Sequence, residues 1–428
     1  MLKKPRASSL KNTIPALCVV LALITPTLAQ NKRLWVLRIP GEMTEYDPTT
    51  FDPKSSVKVP PEAVASPQSL SVNHLGQMLF AMPASLPLRE DDLTAQKKVW
   101  LWDGHAANIL NRDVDRATSA TGSNLAITES APVPNLAADG THLYWFANQA
   151  RRLQRDGVDL STKTTWQLWR TDLAGAGRED LTSVAMPDCS CATGSCEETC
   201  PYGETWVPDE GIAKFFLLTQ FVAGQTESVA KSTSAYQESS GKWDAATLNP
   251  PLQRVLDGVD AGTVLEAIPD GGCCGWENES NDQALLRLHG KTLTIFDERA
   301  AYKNPNYDVS FYSQNGKLSP DLGLVALTIV ATAQPDKPIQ LADEGQANPE
   351  ELQRIRKALL DLPAVEVKSV EDSPRRIVFL PHATLVGWVS EKEMLIVEGR
   401  LLVAYNVASG ARRKSNIQVE DAGHVFLR

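Results

Sequence analysis

One phrase recurs six times along this chain: a polar turn with glycine or aspartate, followed by a short apolar run. One copy of such a unit cannot bury its own apolar face, so repeated copies stack and share a continuous core. The repeat therefore predicts an array of similar β-units. The clearest copies are 76–82, 139–146, 210–218 and 321–329, and the weaker ones are 281–286 and 391–397.

The spacing of these copies predicts an all-β fold, a β-propeller. Their turns are separated by 41 to 71 residues, and a bare four-stranded blade needs about 40–45 residues. The shortest interval is then close to one blade, and the longer intervals are blades with insertions near 187–205, 224–241 and 341–362. We expect six blades of four-stranded antiparallel sheet, with one short helical insertion, in a single domain over 30–428. The turns used as register marks are at 76, 140, 211, 282, 323 and 392.

The apolar run of each repeat is unbroken, as in a strand that is covered on both faces. We interpret these runs as the central strands of the blades. The chain also begins and ends with strand-like segments, 33–37 and 425–428, which we expect to meet where the ring closes. The predicted central strands lie near 78–82, 143–147, 214–219, 284–288, 324–330 and 394–398.

The insertion at 341–362 contains a predicted helix. Asn348 is a suitable N-cap, and Pro349 suits the first helical position. An apolar stripe follows and ends before Pro363, so we expect the helix to pack on the rim of the array; recruitment of a partner is the alternative. The predicted stripe consists of Leu352, Ile355, Leu359 and Leu360.

The N-terminus has the pattern of a secretory signal peptide over 1–29: basic residues, an apolar stretch at 14–24 and a small-residue cleavage site. We therefore expect a periplasmic or secreted protein with no membrane span in the mature chain. Removing the four basic residues of this segment changes the formal charge from −10 to −14. An acidic chain without a basic cluster is not expected to bind nucleic acid.

The six remaining cysteines lie in two glycine-rich or polar segments, which predicts surface loops. In an exported protein an even count favours disulfides, and six cysteines allow fifteen pairings. A zinc or iron–sulfur site is the alternative, although the spacing lacks two Cys-x-x-Cys pairs. We expect no metal or other cofactor, and at least one bridge between the two segments. The candidates are Cys189, Cys191, Cys196, Cys200, Cys273 and Cys274.

The repeat units resemble those of the TolB-like six-bladed β-propellers. In that family a Ser-Pro-Asp-Gly-type turn precedes an inner strand, and a later strand ends in an Asp-x-x-(Ser/Gly)-Gly-type turn. The segments 318–321 and 137–140 are similar to the first element, and 171–175 and 405–410 are similar to the second. The resemblance implies an architecture only, because relatives include interaction proteins, sensors, lyases and peptidase gating domains.

No sequence pattern typical of a hydrolase nucleophile, a phosphate-binding loop or a zinc protease is present. His74 and His142 fall at equivalent turns, and a ring of turn carboxylates could bind a cation, but turns use such side chains to bond their own backbone. That ring would contain Asp139, Asp209, Glu210, Asp282 and Asp321.

Most of the ten tryptophans lie in strand runs, where we expect them to fill the space between blades. Trp206 and Trp276 adjoin the two cysteine segments and are the candidate exposed anchors for a partner. We therefore expect a non-catalytic propeller that binds a protein, peptide or glycan, with no catalytic residue. The alternative is a propeller enzyme, a lyase or hydrolase, that uses channel-facing carboxylates and histidines.

Overall fold

A computed structural model places the described strands in seven sheets, six with four strands and one with eight. It describes residues 32–59, 70–73, 75–83, 97–102, 107–110, 118–119, 125–129, 133–137, 139–155, 158–185, 189–190, 202–206, 212–213, 215–223, 228–239, 242–248, 252, 254–260, 263–268, 282–288, 290–302, 307, 309–341 and 348–428. The predicted signal peptide lies outside these residues.

Sheets 1 to 3 lie between residues 70 and 248. The strands of sheet 1 are β4 (Leu70–Val72), β5 (Met78–Pro83), β6 (Lys97–Trp102) and β7 (Ala107–Leu110). The main strands of sheet 2 are β10 (Val133–Ala137), β11 (His142–Arg155), β12 (Val158–Asp172) and β13 (Glu179–Ala185), and its accessory strands are β8 (Thr118–Ser119), β9 (Leu125–Glu129), β14 (Cys189–Ser190) and β16 (Ile212–Ala213). The strands of sheet 3 are β15 (Tyr202–Trp206), β17 (Phe215–Ala223), β18 (Ser228–Ser239) and β19 (Lys242–Leu248).

Sheets 4 to 6 follow in chain order. The strands of sheet 4 are β20 (Arg254–Asp260), β21 (Thr263–Ile268), β22 (Gln283–Leu288) and β23 (Lys291–Asp297). Those of sheet 5 are β24 (Phe311–Leu318), β25 (Leu324–Ala331), β26 (Ala364–Ser369) and β27 (Arg376–Pro381). Those of sheet 6 are β28 (Ala383–Trp388), β29 (Glu393–Glu398), β30 (Leu401–Asn406) and β31 (Arg412–Gln418).

Sheet 7 joins the two ends of the described chain. Its strands, in spatial order, are β32 (Val425–Leu427), β1 (Leu34–Arg38), β2 (Glu42–Tyr46) and β3 (Pro53–Lys58). Leu34 pairs with Leu427 and Val36 with Val425 in antiparallel register. The expectation that the termini meet is therefore confirmed, and the fold is an all-β propeller of mainly antiparallel sheets.

The predicted count of six blades is wrong. The six repeats do not include the terminal strands, and β32 and β1–β3 make a further sheet of their own. The register mark at 282 was also misplaced, since it lies between the second and third strands of sheet 4 while the other five marks lie between first and second strands.

The apolar runs are not the innermost strands. We count the strands of each sheet in spatial order, so that the first strands are β4, β10, β15, β20, β24, β28 and β32. First strands of consecutive sheets contact one another, as β20 and β24, β24 and β28, and β28 and β32 do. These contacts place the first strands around the centre of the ring. Five of the six predicted central strands are second strands, and 284–288 belongs to a third strand. Their burial on both faces is confirmed in β25 and β29, because each sheet is covered by its two neighbours.

Large aromatic side chains fill the space between sheets, as the sequence predicted for the tryptophans. Trp35, Trp145, Trp169 and Trp388 are all at most 3% exposed. The indole N–H of Trp145 donates to Thr171 Oγ1 at 2.8 Å and that of Trp388 donates to the Lys317 carbonyl at 3.0 Å. These bonds satisfy the polar atom of a ring that is otherwise buried for its apolar surface.

One predicted insertion and the predicted number of helical segments differ from expectation. The polar stretch at 224–241 is mostly β18, a strand that pairs with both β17 and β19 inside sheet 3. The described residues also contain more than one helical segment: α1 (Glu298–Tyr302), α2 (Pro349–Leu360) and a 3-10 turn at Ala422–His424. In the described part of the chain, no helix has the length and apolar character needed to cross a membrane.

Candidate functional site

Antiparallel strands send their connections alternately to the two ends of the ring. Connections that follow a first or third strand lie at one end, which we call the short-turn face. Connections that follow a second or fourth strand lie at the other end, which we call the long-loop face. Contacts between neighbouring sheets agree with this division: Gln77 Nε2 donates to the Gly140 carbonyl at 2.9 Å across two short turns.

The two faces differ sharply in the length of their connections. Every connection longer than 207–214 joins strand ends that lie at the long-loop face. The short-turn connections are 47–52, 73–77, 103–106, 138–141, 173–178, 207–214, 240–241, 261–262, 289–290, 319–323, 370–375, 389–392 and 407–411. The long-loop connections are 39–41, 59–69, 84–96, 111–132, 156–157, 186–201, 224–227, 249–253, 269–282, 298–310, 332–363, 382, 399–400 and 419–424.

The two cysteine segments are flanked by strands that meet the long-loop face. Cys189 lies in β14, which pairs with β12 opposite Thr162, in the outer half of the long β11–β12 hairpin. The other five candidate cysteines, Cys191, Cys196, Cys200, Cys273 and Cys274, lie outside the described residues, and disulfide pairing stays a prediction.

The candidate anchor Trp206 lies at the short-turn face. Trp206 is the last residue of β15, a first strand, and it pairs with Leu217 at the end that leads into a short-turn connection. Trp276 lies outside the described residues, within a connection whose flanking strands β21 and β22 meet the long-loop face. The sequence placed Trp206 beside the cysteine segment, but β15 runs from that segment to the opposite end.

Two of the described turn carboxylates, Asp139 and Asp321, bond their own turns, as the simpler interpretation predicted. Asp139 Oδ1 accepts the Thr141 N–H at 2.8 Å, and Asp139 Oδ2 lies 2.6 Å from His142 Nδ1. Burial acts to raise the pKa of Asp139, but the Thr141 and His142 bonds outweigh it and hold that pKa below its ordinary value. Asp321 Oδ1 likewise accepts the Gly323 N–H at 3.1 Å.

Asp282 does not belong to the predicted carboxylate ring, because it lies at the long-loop face. It is buried with Glu298 between sheets 4 and 5. Asp282 Oδ2 accepts the Ser313 N–H at 3.1 Å, and Glu298 Oε1 accepts the Phe311 N–H at 2.7 Å. These carboxylates therefore tie sheet 4 to the first strand of sheet 5. Asp209 and Glu210 lie outside the described residues.

The histidines are distributed over both faces. Of the three described, His142 lies at the short-turn face, and His382 and His424 lie at the long-loop face. His74, His105 and His289 are outside the described residues. Within the part of the chain that the structure describes, no three His, Cys, Asp or Glu side chains form a group that could hold a metal ion.

Helix α1 forms a packed part of the long-loop face. The Tyr302 ring stacks on Phe311 with centroids 3.8 Å apart. Burial, and then the nearby Glu366 carboxylate, raise the pKa of Tyr302 to about 12, so its hydroxyl stays neutral near pH 7. Glu366 is itself buried and pairs with Arg376 and, at 3.6 Å, with Lys368. The connection 298–310 is therefore attached to sheet 5 through aromatic stacking.

Helix α2 is held at both of its ends. Asn348 caps the N-terminus, accepting the Glu350 N–H at 3.1 Å, and Tyr307 Oη bonds both backbone groups of Asn348 at 2.9 Å. At the C-terminus the His382 N–H donates to the Asp361 carbonyl at 3.0 Å. The predicted helix and its cap are confirmed. Both bonds at its ends come from other connections of the long-loop face.

One residue of the predicted apolar stripe points elsewhere. Ile355 and Leu359 are buried against the core of sheets 4 and 5, and Leu352 packs beside them. Leu360 is 60% exposed. The sequence showed four apolar residues close to one stripe, but Leu360 follows Leu359 by one position, about 100° around the helix, and only the packing partner decides which of the two is covered.

No protein-family model and no curated protein sequence matches the chain. Among solved structures it is similar to the β-propeller domain of the Trilobed protease from Pyrococcus furiosus, with 10% identity, a TM-score of 0.40, and 87% of this chain and 86% of that one covered.

Two whole peptidases are similar at the same level. Dipeptidyl peptidase 4 from Porphyromonas gingivalis shows 10% identity and a TM-score of 0.41, with 91% of this chain and 52% of that one covered. Acylaminoacyl peptidase from Pyrococcus horikoshii shows 12% identity and a TM-score of 0.39, with 88% of this chain covered. The present chain spans about half the length of these two enzymes, 52% and 48%. Similarity at this level assigns neither a family nor a function, and membership of the TolB-like family stays a prediction.

Proposed function

We propose that this protein is an exported, non-catalytic propeller that binds a protein, peptide or glycan at its long-loop face. The observation that supports this is the segregation of long connections to one end of the ring. A rigid sheet scaffold lets connections vary without disturbing buried strands, so binding residues accumulate where long connections gather. The short turns that the structure describes at the other face are built chiefly from polar residues that bond their own backbone, and they offer less surface to a partner.

Within that face we propose that the segments 187–205 and 270–279 lie side by side and are joined by a disulfide, with Trp276 as an anchor between them. The strands that flank both segments meet the long-loop face, which supports this arrangement. An aromatic ring in such a position supplies a large contact area at little cost in side-chain entropy. Trp206 is not retained as an anchor, because its strand ends at the short-turn face.

Site-specific photo-crosslinking in the native host tests which face is used. A photoreactive residue would replace Ile39 or Arg400 on the long-loop face and, as matched controls, Leu75 or Ser409 on the short-turn face; all four are exposed. We expect covalent adducts from the first pair and none from the second. Adducts that form chiefly from Leu75 and Ser409 would show that the proposed face is wrong.

The tryptophans provide a second comparison. Trp276→Ala should weaken capture of the crosslinked partner and leave thermal unfolding nearly unchanged. Trp206→Ala, at the other end of the ring, should leave capture unchanged. Equal loss of capture in both variants, or a fall of many degrees in the melting temperature of Trp276→Ala, would contradict the anchor role.

A further inference from the structure

The outward side of helix α2 combines positive charge with an exposed apolar side chain. Arg356, Lys357 and Leu360 are exposed, and so is His382, whose backbone adjoins the end of the helix. Leu360 follows Arg356 by four positions and Lys357 by three, so these side chains are neighbours on the helix surface. We call these four residues the α2 patch.

The charge of the α2 patch is not neutralised by ion pairs in the described structure. Among described residues, neither Arg356 nor Lys357 has a carboxylate within ion-pair distance, whereas the adjacent Arg354 lies 3.8 Å from Glu351. Asp361, at the C-cap, is the nearest acidic residue in sequence, and the acidic residues of the first turn, Glu350 and Glu351, lie at the other end of the helix.

Cations at a helix C-terminus are favoured by the helix dipole, which accounts for part of this charge. The dipole does not account for Leu360. Leu360 is 60% exposed and lies beside two cations, so this surface can make an apolar contact and also attract negative charge. The chain as a whole carries a formal charge of −10. Opposite charge on a partner would steer its approach to this patch, since the rest of the chain repels it on balance.

The α2 patch is also preorganised. The inner side of the helix is buried through Ile355 and Leu359, and both ends are hydrogen-bonded to neighbouring connections. A partner that binds here therefore meets a surface that is already ordered, and it does not have to supply the free energy of ordering the helix.

We propose that the α2 patch binds an acidic peptide segment of a partner protein, with Arg356 and Lys357 contacting its carboxylates and Leu360 contacting an apolar side chain within it. The size of the patch, two cations and one leucine within about one helical turn, fits a short peptide segment. An anionic membrane or a nucleic acid would need a more extended basic surface. This inference rests on the proposed binding role of the long-loop face and names the chemistry of the partner.

The test measures binding of a fluorescent twelve-residue peptide of glutamate and aspartate with one central leucine, by anisotropy at low salt. The matched control peptide has glutamine and asparagine in place of the acids. We expect the acidic peptide to bind and the control not to bind, with affinity that falls as salt is added. Arg356→Glu/Lys357→Glu should raise Kd at least about tenfold.

The control protein variant is Lys392→Glu/Lys414→Glu, which makes the same charge change at two exposed sites away from α2 and should leave Kd within about twofold. Leu360→Ser should weaken binding of the acidic peptide without changing its salt dependence. If the charge-reversed helix fails to fold by circular dichroism, Arg356→Gln/Lys357→Gln replaces it, with the same expected direction.

The outcomes separate this inference from the proposed function. Absence of peptide binding, equal weakening by both double variants, or binding to vesicles of anionic phospholipid in place of the peptide would overturn the acidic-peptide proposal. Crosslinks from Ile39 and Arg400 would still support the proposal that the long-loop face binds the partner. Crosslinks from the short-turn face alone would overturn the proposed function whatever the peptide does.

Discussion

Phe426 should be among the residues on which closure of the ring depends most. It lies on β32, pairs with Trp35 on β1, and packs with Leu70, Val72 and Met78 of sheet 1. It is 5% exposed. A Phe→Ala change at a buried site costs about 3–5 kcal/mol, a large part of the 5–15 kcal/mol that stabilises a typical protein. Phe426→Ala therefore removes packing between the closing sheet and sheet 1.

The assay is urea unfolding followed by tryptophan fluorescence and circular dichroism, with Phe379→Ala as the matched control. Phe379 lies on the outer strand β27, is only half-buried and has Arg376 over its ring. Its truncation should cost well under half as much, because much of that ring already contacts water. If Phe426→Ala shifts the unfolding midpoint no more than Phe379→Ala does, β32 does not close the ring in the way described.

Three further outcomes are expected. Arg33, through its hydrogen bonds and charge, holds the pKa of Glu45 below its ordinary value of 4.5, so the pair should stabilise the fold above that pH and lose its effect as pH falls through the lowered pKa. The difference in unfolding free energy between wild type and Glu45→Gln, measured across this range, should shrink on acidification, and a difference independent of pH would contradict it. Asn348→Ala should cost about 1 kcal/mol in urea unfolding through loss of the α2 cap, while Asn348→Asp stays close to wild type; equal effects would exclude capping as the cause. Alkylation of the unreduced exported protein should label fewer than three of the six mature cysteines in mass spectrometry, and three or more labels, or stoichiometric zinc, would favour a metal site instead.

The buried carboxylates at the long-loop face show why the role of some polar residues cannot be predicted from the sequence. Asp282 sits beside a turn-like segment and looks like a repeat of Asp139, which bonds its own turn. In the fold it is buried and accepts an N–H from Ser313 on the neighbouring sheet. The local sequence is similar in the two places, and the difference comes from which element packs against it.

The sequence alone determined the fold class and several elements of this protein. A single sheet cannot bury both faces of an apolar run such as 324–330, so repeated runs predict stacked sheets. The start of helix α2 is predicted by Asn348 as the N-cap and Pro349 at the first helical position. The sequence also predicts strands at both ends of the described chain. We expected these two strands to pair because pairing closes the ring without a free sheet edge. These features depend on local periodicity and helix capping, which are determined by residues close together in the sequence.

Tertiary structure decided the rest. The number of sheets depended on whether β32 and β1–β3 form their own sheet, and strand order is a property of long-range pairing. The direction of β15 placed Trp206 at the short-turn face, away from the cysteine segment next to it in sequence. The exposure of Leu360 beside buried Leu359 depended on which side of α2 meets the core. In each case the sequence specifies what a residue can do, while its sheet, face and neighbours arise only when distant segments pack together.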